Sequence, residues 1–151
     1  MMERASEKGV EILLPVDTVA AEGLDSSSGD LVVAAGEIPD GLMGLDIGPE
    51  TAALFASKVA AARTVLWNGP MGVFENPLFS AGTKTVAEGV ARCTKSGGVT
   101  VVGGGDTAAA AKQLGFADEV SHVSTGGGAS LEFCEGKELP GIAPLVVDSS
   151  D

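Results

Sequence analysis

Short apolar runs recur along the chain between turns rich in Gly and Pro, and amphipathic stretches lie between several of these runs. The apolar runs predict strands at 10–16, 18–21, 64–69, 97–104 and 121–125, and one more within 31–48. Helical spacing predicts helices at 49–62, 80–96, 106–115 and 127–136, and the last turn of a helix at 5–8. Strands that alternate with helices are typical of an α/β fold, so we predict a Rossmann-like parallel sheet with helices on both faces.

Single residues mark the ends and the buried parts of these elements. Pro49 stands where Pro is favoured at the first helical position, and Gly115 and Gly136 each end a helix. Trp67, the only tryptophan, is expected in the core, and so is His122 in the middle of its strand. No spacing typical of a catalytic triad or a metal site surrounds His122.

The composition indicates one folded, acidic domain. The chain has 151 residues, 44% of them hydrophobic, and its 22 glycines cluster between apolar runs. A net charge of −12 argues against a nucleic-acid partner, which would select a basic surface. Cys93 and Cys134 lack metal or redox spacing, so both are expected as reduced thiols. With no apolar run long enough for a bilayer, we expect a cytoplasmic protein without membrane contact, and an organellar form stays open if Met1 is not the natural start.

Three glycine-containing loops follow predicted strands and precede helices. They are WNGPMGVFE at 67–75, GGGDT at 103–107 and STGGGAS at 124–130. In a parallel sheet, right-handed crossovers place such loops on the carboxyl edge, where ligands of open α/β folds bind. We therefore expect the three loops to meet in one crevice.

The loop 103–107 has the chemistry of a phosphate cradle. Glycines at a helix start allow an anion to approach unpaired N–H groups, and Thr107 adds a hydroxyl. Asp106 beside a phosphate would repel it unless a cation such as Mg²⁺ lies between, and the equal alternative is an Asp N-cap for the helix. The loop also fits a dinucleotide pattern GxGxxA, but the expected acid after the next strand is absent, and no Walker motif occurs.

The other two loops permit a functional and a structural interpretation each. The triplet Gly126–Gly128 adds a second set of N–H donors, suited to a phosphoryl group in transit, or it only allows a tight turn. In the loop 67–75, Glu75 could bond ribose hydroxyls or be a solvated surface acid. Pro70 and Val73 could offer an apolar surface to an adenine.

Four motifs in this order and spacing closely resemble the C-terminal part of phosphoglycerate kinase: GLMGLDIGPET, WNGPMGVFE, VVGGGDTAAAA and HVSTGGGASLE. The resemblance runs from about Gly9 to Ile142, which gives a partial nucleotide-binding domain at 1–142 and a tail at 143–151. It implies phosphoryl transfer between 1,3-bisphosphoglycerate and ADP, giving 3-phosphoglycerate and ATP in glycolysis, with Mg²⁺. Family members have two domains and are expected as monomers.

The resemblance also implies roles for single residues. Gly44 and Leu45 resemble adenine-pocket residues, and Leu42 departs from the tryptophan expected before MGLDIG. The nucleotide site is completed by Asn68, Pro70 and Val73, by Glu75 as the ribose ligand, and by Gly104, Gly105, Asp106 and Thr107 as the phosphate loop. Asp106 is the expected Mg²⁺ ligand. Gly126, Gly127 and Gly128, with Gly105, match positions that face the transferring group.

Other parts of the family pattern are absent from the sequence. The basic residues of the N-terminal domain, a lysine-bearing loop and a second adenine loop do not occur, and the three loops contain no lysine. We therefore expect a fragment that binds nucleotide weakly, does not catalyse alone and self-associates through an open sheet edge. The alternative is a non-catalytic nucleotide-binding α/β module, and a dinucleotide-dependent oxidoreductase is a third possibility.

Overall fold

The computed structural model describes residues 1–27 and 32–145 and has a mixed α/β fold. The helices are α1 (Met2–Glu7), α2 (Pro49–Ala60), α3 (Ala81–Lys95), α4 (Gly105–Gln113) and α5 (Gly127–Cys134). The strands are β1 (Asp17–Ala21), β2 (Val32–Ala35), β3 (Met43–Ile47), β4 (Thr64–Asn68), β5 (Val99–Gly103) and β6 (His122–Ser124). Short 3₁₀ turns occupy Pro77–Phe79, Ala117–Glu119 and Ala143–Leu145.

The second half of the chain forms the parallel sheet that the sequence predicts. Its strand order is β4-β5-β6, and both pairs are parallel. The connection from β4 to β5 contains α3, and the connection from β5 to β6 contains α4, as parallel pairing requires. The predictions of β4, β5 and β6, and of the helices between them, are confirmed.

The first half forms a separate antiparallel sheet, which the sequence did not predict. Its order is β2-β1-β3, and β1 pairs antiparallel with both neighbours. No helix lies between β1 and β3 in the described part of that segment, and antiparallel strands need no helical crossover. The alternation of strand and helix starts only at α2.

The strand predicted at 10–16 is wrong, because the structure has irregular backbone there and β1 begins at Asp17. Pro15 cannot donate a ladder hydrogen bond. Val10, Leu14 and Val16 are all exposed, so this apolar run does not reach a core. The predicted strand at 18–21 is confirmed with Asp17 added.

Trp67 is buried at the centre of the main core, as predicted. Ala87 and Val90 of α3, Ala111 of α4 and Val102 of β5 pack with it on one face of the parallel sheet. The opposite face is only partly covered by α5 and leaves a groove lined by Leu66, Val101 and Phe133, among others. Helices thus lie on both faces, but the second face is largely open.

Several smaller predictions are also decided. Pro49 is the first residue of α2, and Gly115 and Gly136 have positive φ directly after the C-cap residues of α4 and α5. His122 is exposed at the start of its strand, so its predicted place in the core is wrong. Cys93 is buried, Cys134 is exposed and both are free thiols.

The predicted tail at 143–151 falls partly outside the described residues. Within residues 1–27 and 32–145, no helix has the length and apolar character needed to cross a bilayer.

Candidate functional site

The three glycine-containing loops start from strand ends that are in register. Asn68, Gly103 and Ser124 are the last residues of β4, β5 and β6, and they pair across the sheet as neighbours. The Asn68 Nδ2 donates to the Gly103 carbonyl at 3.0 Å, and the Gly104 N–H donates to the Ser124 carbonyl at 3.0 Å. The loops therefore meet at one edge, as predicted from the sheet topology.

The two glycine triplets touch each other directly. Gly104 has φ +97°, a backbone conformation that residues other than glycine rarely adopt. A Cβ built on Gly127 would lie 3.0 Å from the Gly104 Cα, so the backbones are as close as glycine permits. The first turns of α4 and α5 consequently begin side by side.

The N-termini of α4 and α5 are open, whereas those of α2 and α3 are occupied by the protein's own carboxyl groups. Among the residues that the structure describes, no side chain accepts a hydrogen bond from the N–H groups of residues 105–107 or 127–129, and only the Gly126 N–H just before α5 is bonded, to the Ser124 Oγ at 3.2 Å. Asp17 accepts hydrogen bonds at the start of α2, and Asp46 accepts one at the start of α3. Because the first N–H groups of a helix lack internal partners, α4 and α5 present free donors and positive dipole ends.

Asp17 shows how completely such a donor site can be filled. Its carboxylate accepts from the N–H groups of Glu50 and Thr51 at 3.0 and 2.8 Å and from the Thr51 hydroxyl at 2.5 Å. Burial alone would raise the Asp17 pKa, but these hydrogen bonds outweigh it and lower the pKa below its usual 3.8. Asp17 is thus held as a carboxylate.

Asp46 occupies the corresponding position at α3 with fewer donors. Its Oδ2 accepts from the Gly82 N–H at 2.7 Å, and its Oδ1 accepts from the Ile47 N–H at 2.9 Å. Burial raises the Asp46 pKa from 3.8 to about 6, although both hydrogen bonds act to lower it. This carboxyl therefore titrates within two units of neutral pH.

A cavity of about 410 Å³ lies beside the loop 67–75, between β3 and that loop. Gly44, Leu45, Pro70 and Val73 line it, which brings together the four residues predicted to form an adenine pocket. The Val73 N–H donates to the Leu45 carbonyl at 2.9 Å and fixes the loop to β3.

The remaining predicted residues differ in exposure. Glu75 and Asp106 are exposed, and Thr107 is only 2% exposed, with its Oγ1 accepting from the Gly69 N–H at 2.7 Å. Asp106 is the second residue of α4 and does not cap it, because Gly104 holds the N-cap position. The alternative of an Asp106 N-cap is therefore wrong.

The described residues contain no group of three or more His, Cys, Asp or Glu side chains that could hold a metal ion by themselves. Mg²⁺ in nucleotide sites is usually bound by one or two carboxylates together with water and substrate phosphates. An exposed carboxylate at an open helix N-terminus fits this second kind of site.

Comparison with known proteins identifies the family. The sequence model of the phosphoglycerate kinase family matches residues 1–137. The chain belongs to the phosphoglycerate kinase family. Phosphoglycerate kinases from Chlorobium limicola and Clostridium novyi are 52% and 56% identical to it over 145 residues. Each alignment covers 96% of this chain and 36% of the relative, so the chain spans about a third of these proteins.

Solved structures of phosphoglycerate kinases have the same arrangement. The enzyme from Coxiella burnetii superposes with a TM-score of 0.84 at 44% identity, covering 96% of this chain and 37% of the other. The one from Pyrococcus horikoshii gives a TM-score of 0.70 at 33% identity, covering 91% and 33%. The fold described above is therefore a part of the phosphoglycerate kinase fold.

Sequence reasoning missed Asp17 and Asp46, and it missed Thr83 of α3, whose Oγ1 accepts from the Met71 N–H at 3.1 Å. Asp is depleted in strands, so an Asp inside the runs DTVAA and MGLDI was a signal that each acid has a buried partner. The partners themselves lie 33 to 36 residues away in sequence, so no local pattern names them.

Proposed function

We propose that the chain carries the Mg-nucleotide part of a phosphoglycerate kinase site. One observation supports this most directly: the uncapped N-termini of α4 and α5 meet at Gly104 and Gly127, while α2 and α3 have carboxyl groups at theirs. Open helix starts are anion sites, because their N–H groups and dipoles both favour negative charge.

The two helix starts serve different phosphates in this proposal. Gly104, Gly105 and Thr107 on the α4 side bind the phosphates that stay on the nucleotide. Gly126, Gly127 and Gly128 on the α5 side, together with Gly105, face the transferring phosphoryl group. A phosphoryl group in transit spreads charge over three oxygens, so donors on more than one side stabilise its transition state.

The base and sugar of the nucleotide extend toward β3. Gly44, Leu45, Pro70 and Val73 already line one cavity, whose apolar walls suit a flat heterocycle. Asn68 precedes Pro70 in the same loop, and its Nδ2 donates to the Gly103 carbonyl next to the phosphate cradle. Glu75 is exposed on the same loop, where it would accept hydrogen bonds from the ribose hydroxyls.

Asp106 would hold Mg²⁺ together with the nucleotide phosphates. The ion, when bound, neutralises phosphate charge and polarises the transferring group. Asp106 itself keeps an exposed negative charge at the mouth of the cradle, which would repel bare phosphate and so selects the metal complex.

The reaction in which this site takes part is phosphoryl transfer between 1,3-bisphosphoglycerate and ADP, giving 3-phosphoglycerate and ATP. The chain alone is proposed to be inactive, because its cradle loops contain no basic side chain for the transition state. Lys58, Lys95 and Lys137 form ion pairs with glutamates elsewhere. An N-terminal domain is the proposed source of substrate positioning.

Calorimetric titration of ADP into the chain, with and without Mg²⁺, tests the proposal. We expect Mg²⁺ to raise ADP affinity in the wild-type chain and to have little effect in Asp106→Asn. Without Mg²⁺, Asp106→Asn should bind ADP at least as well as the wild type, because a repelling charge is gone. A coupled turnover assay should show no activity for the chain alone.

Asp118→Asn is the matched control, since it removes one exposed carboxylate from the turn after α4. Equal Mg²⁺ effects in Asp106→Asn and Asp118→Asn would contradict the metal role of Asp106. Ordinary turnover by the chain alone would contradict the proposed dependence on a second domain. Nucleotide binding with unrelated coding sequence upstream of Met1 would favour the non-catalytic module.

A further inference from the structure

The carboxyl group of Asp46 lies where three elements around the 410 Å³ cavity meet. It is in β3, is 4% exposed and accepts the Gly82 N–H in the first turn of α3. Gly72, in the loop after β4, and Gly82 pack against this carboxyl so closely that a Cβ on either would collide with it. One side chain thus contacts β3, α3 and the loop.

Neighbouring hydrogen bonds fix the same part of the loop. The Thr83 Oγ1, fully buried in α3, accepts from the Met71 N–H at 3.1 Å and from the Gly72 N–H at 3.3 Å. The Val73 N–H donates to the Leu45 carbonyl of β3. Three consecutive N–H groups of the loop are therefore tied to α3 and β3 around Asp46.

We propose that Asp46 is a positioning residue for the base pocket, because it sets the spacing between β3, α3 and the loop segment 70–73 that lines the pocket. This inference rests on the proposed nucleotide site. Asp46 is not assigned contact with a reacting atom. It acts through Gly72 and Gly82, whose lack of side chains lets the backbone approach the carboxyl group.

The chemistry of a carboxylate explains why Asp serves at this position. Its two oxygens accept from the N–H groups of Gly82 and Ile47 at once. Asparagine has the same shape but only one oxygen, so its amide NH₂ would face one of these two donors. Asp46→Asn therefore loses one hydrogen bond and gains an unfavourable contact without changing volume.

The phosphate cradle depends on other contacts. The Asn68 side chain donates to the Gly103 carbonyl, and the Gly69 N–H donates to the Thr107 hydroxyl. The Gly104 N–H donates to the Ser124 carbonyl. Asp46 takes part in none of these three hydrogen bonds. A change at Asp46 should therefore weaken binding of the base much more than binding of phosphate.

The test uses the 151-residue chain with two separate probes, adenosine for the base pocket and inorganic pyrophosphate for the cradle. NMR titration should show adenosine binding weakened by about tenfold or more in Asp46→Asn and pyrophosphate binding changed by less than about twofold. Thr83→Val, which keeps the volume and removes the acceptor for Met71 and Gly72, should give the same selective loss.

Thr100→Val is the matched control for Thr83→Val, because it removes a buried hydroxyl that accepts from the Ser121 N–H at 3.0 Å, and neither Thr100 nor Ser121 lines the cavity. Its ratio of adenosine to pyrophosphate affinity should equal that of the wild type. Hydrogen exchange gives a second readout: the amides of residues 71–73 should exchange faster in Asp46→Asn, while those of β5 and α4 should not.

The possible failures are distinguishable. If the wild-type chain binds both probes and Asp46→Asn loses both equally, the positioning role is overturned and the nucleotide site stands. Unchanged exchange at residues 71–73 in both Asp46→Asn and Thr83→Val also overturns it. If the wild-type chain binds neither probe, the proposed function fails, and the assignment of Asp46 to a base pocket fails with it.

Discussion

Gly127 packs tightly against the backbone of Gly104, since a Cβ on Gly127 would lie 3.0 Å from the Gly104 Cα and the two backbones would have to move apart to accept it. This contact joins the starts of α4 and α5. The closeness of the two helix starts depends on glycine at this position, and in the proposed site it lets their N–H groups bind neighbouring phosphates.

Gly127→Ala should push the two helix starts apart. We expect inorganic pyrophosphate to bind about tenfold more weakly, because the two sets of donors no longer converge. The measurement is isothermal titration calorimetry with pyrophosphate.

Gly23→Ala is the control, because a Cβ there would meet nothing within 4 Å and Gly23 lies outside the site. Its pyrophosphate affinity should match that of the wild type. An equal effect of the two substitutions would show that the Gly104–Gly127 contact does not set the anion site.

The hydroxyl of Thr107 should stabilise the folded chain, because it accepts a hydrogen bond from the loop 67–75. Thr107→Val removes the acceptor of the Gly69 N–H and leaves that donor without its partner in a half-buried loop. We expect a loss of about 1–3 kcal/mol in the free energy of unfolding. Urea unfolding followed by the fluorescence of the single buried Trp67 measures it.

Thr85→Val provides the comparison, since the Thr85 hydroxyl only donates back to the Ala81 carbonyl of its own helix. Its free energy of unfolding should change by about 0.5 kcal/mol or less. Similar losses in both variants would mean that the Gly69–Thr107 hydrogen bond contributes nothing specific.

The parts of the fold that were predicted correctly are those marked by residues close together in the sequence. Pro49 starts α2, Gly115 follows the end of α4, and the apolar run at 97–104 predicts the strand found at Val99–Gly103. The antiparallel sheet was missed because the direction of pairing depends on contacts far apart in sequence, such as Thr18 with Ile47. Local patterns carry no information about such partners.

The candidate site also has features that the sequence predicted and features that it could not predict. The meeting of the loops that follow Asn68, Gly103 and Ser124 was predictable, because parallel strands end at a common edge. The role of Asp46 was not, because its donor on Gly82 is 36 residues away. Burial raises the pKa of Asp46, and burial arises only when the chain folds, so the sequence does not reveal this shift.

The open face of the parallel sheet predicts self-association. Phe133 is 66% exposed beside a groove that Leu66 and Val101 line, and β4 is an edge strand of its sheet. Exposed apolar surface beside an edge strand favours pairing with another copy. Sedimentation velocity should show concentration-dependent association that Phe133→Ser reduces.

Val33→Ser removes an apolar side chain of comparable exposure from the other sheet, so it should leave the association unchanged. A wild-type chain that sediments as a compact monomer at every concentration would contradict this prediction. Equal effects of Phe133→Ser and Val33→Ser would place the contact elsewhere.

Asp46 and Asp17 should give opposite pH dependences of stability. The folded-state pKa of Asp46 is raised to about 6, so the folded chain binds this proton more tightly than the unfolded chain. The stabilisation from protonated Asp46 is complete below about pH 4 and is lost as the pH rises to about 6, a change of roughly 3 kcal/mol. The pKa of Asp17 is lowered, so its contribution is present above 3.8 and is lost as the pH falls below that value.

Urea unfolding at a series of pH values, with Trp67 fluorescence as the signal, separates the two residues. Relative to Asp46→Asn, the wild-type chain should lose stability between about pH 4 and 6 and show no further difference above that range. Relative to Asp17→Asn, it should be more stable at neutral pH, and this advantage should shrink only below about pH 4. Parallel pH curves for the wild type and Asp46→Asn would show that the Asp46 carboxyl group titrates normally, so that its burial does not disfavour the charged form.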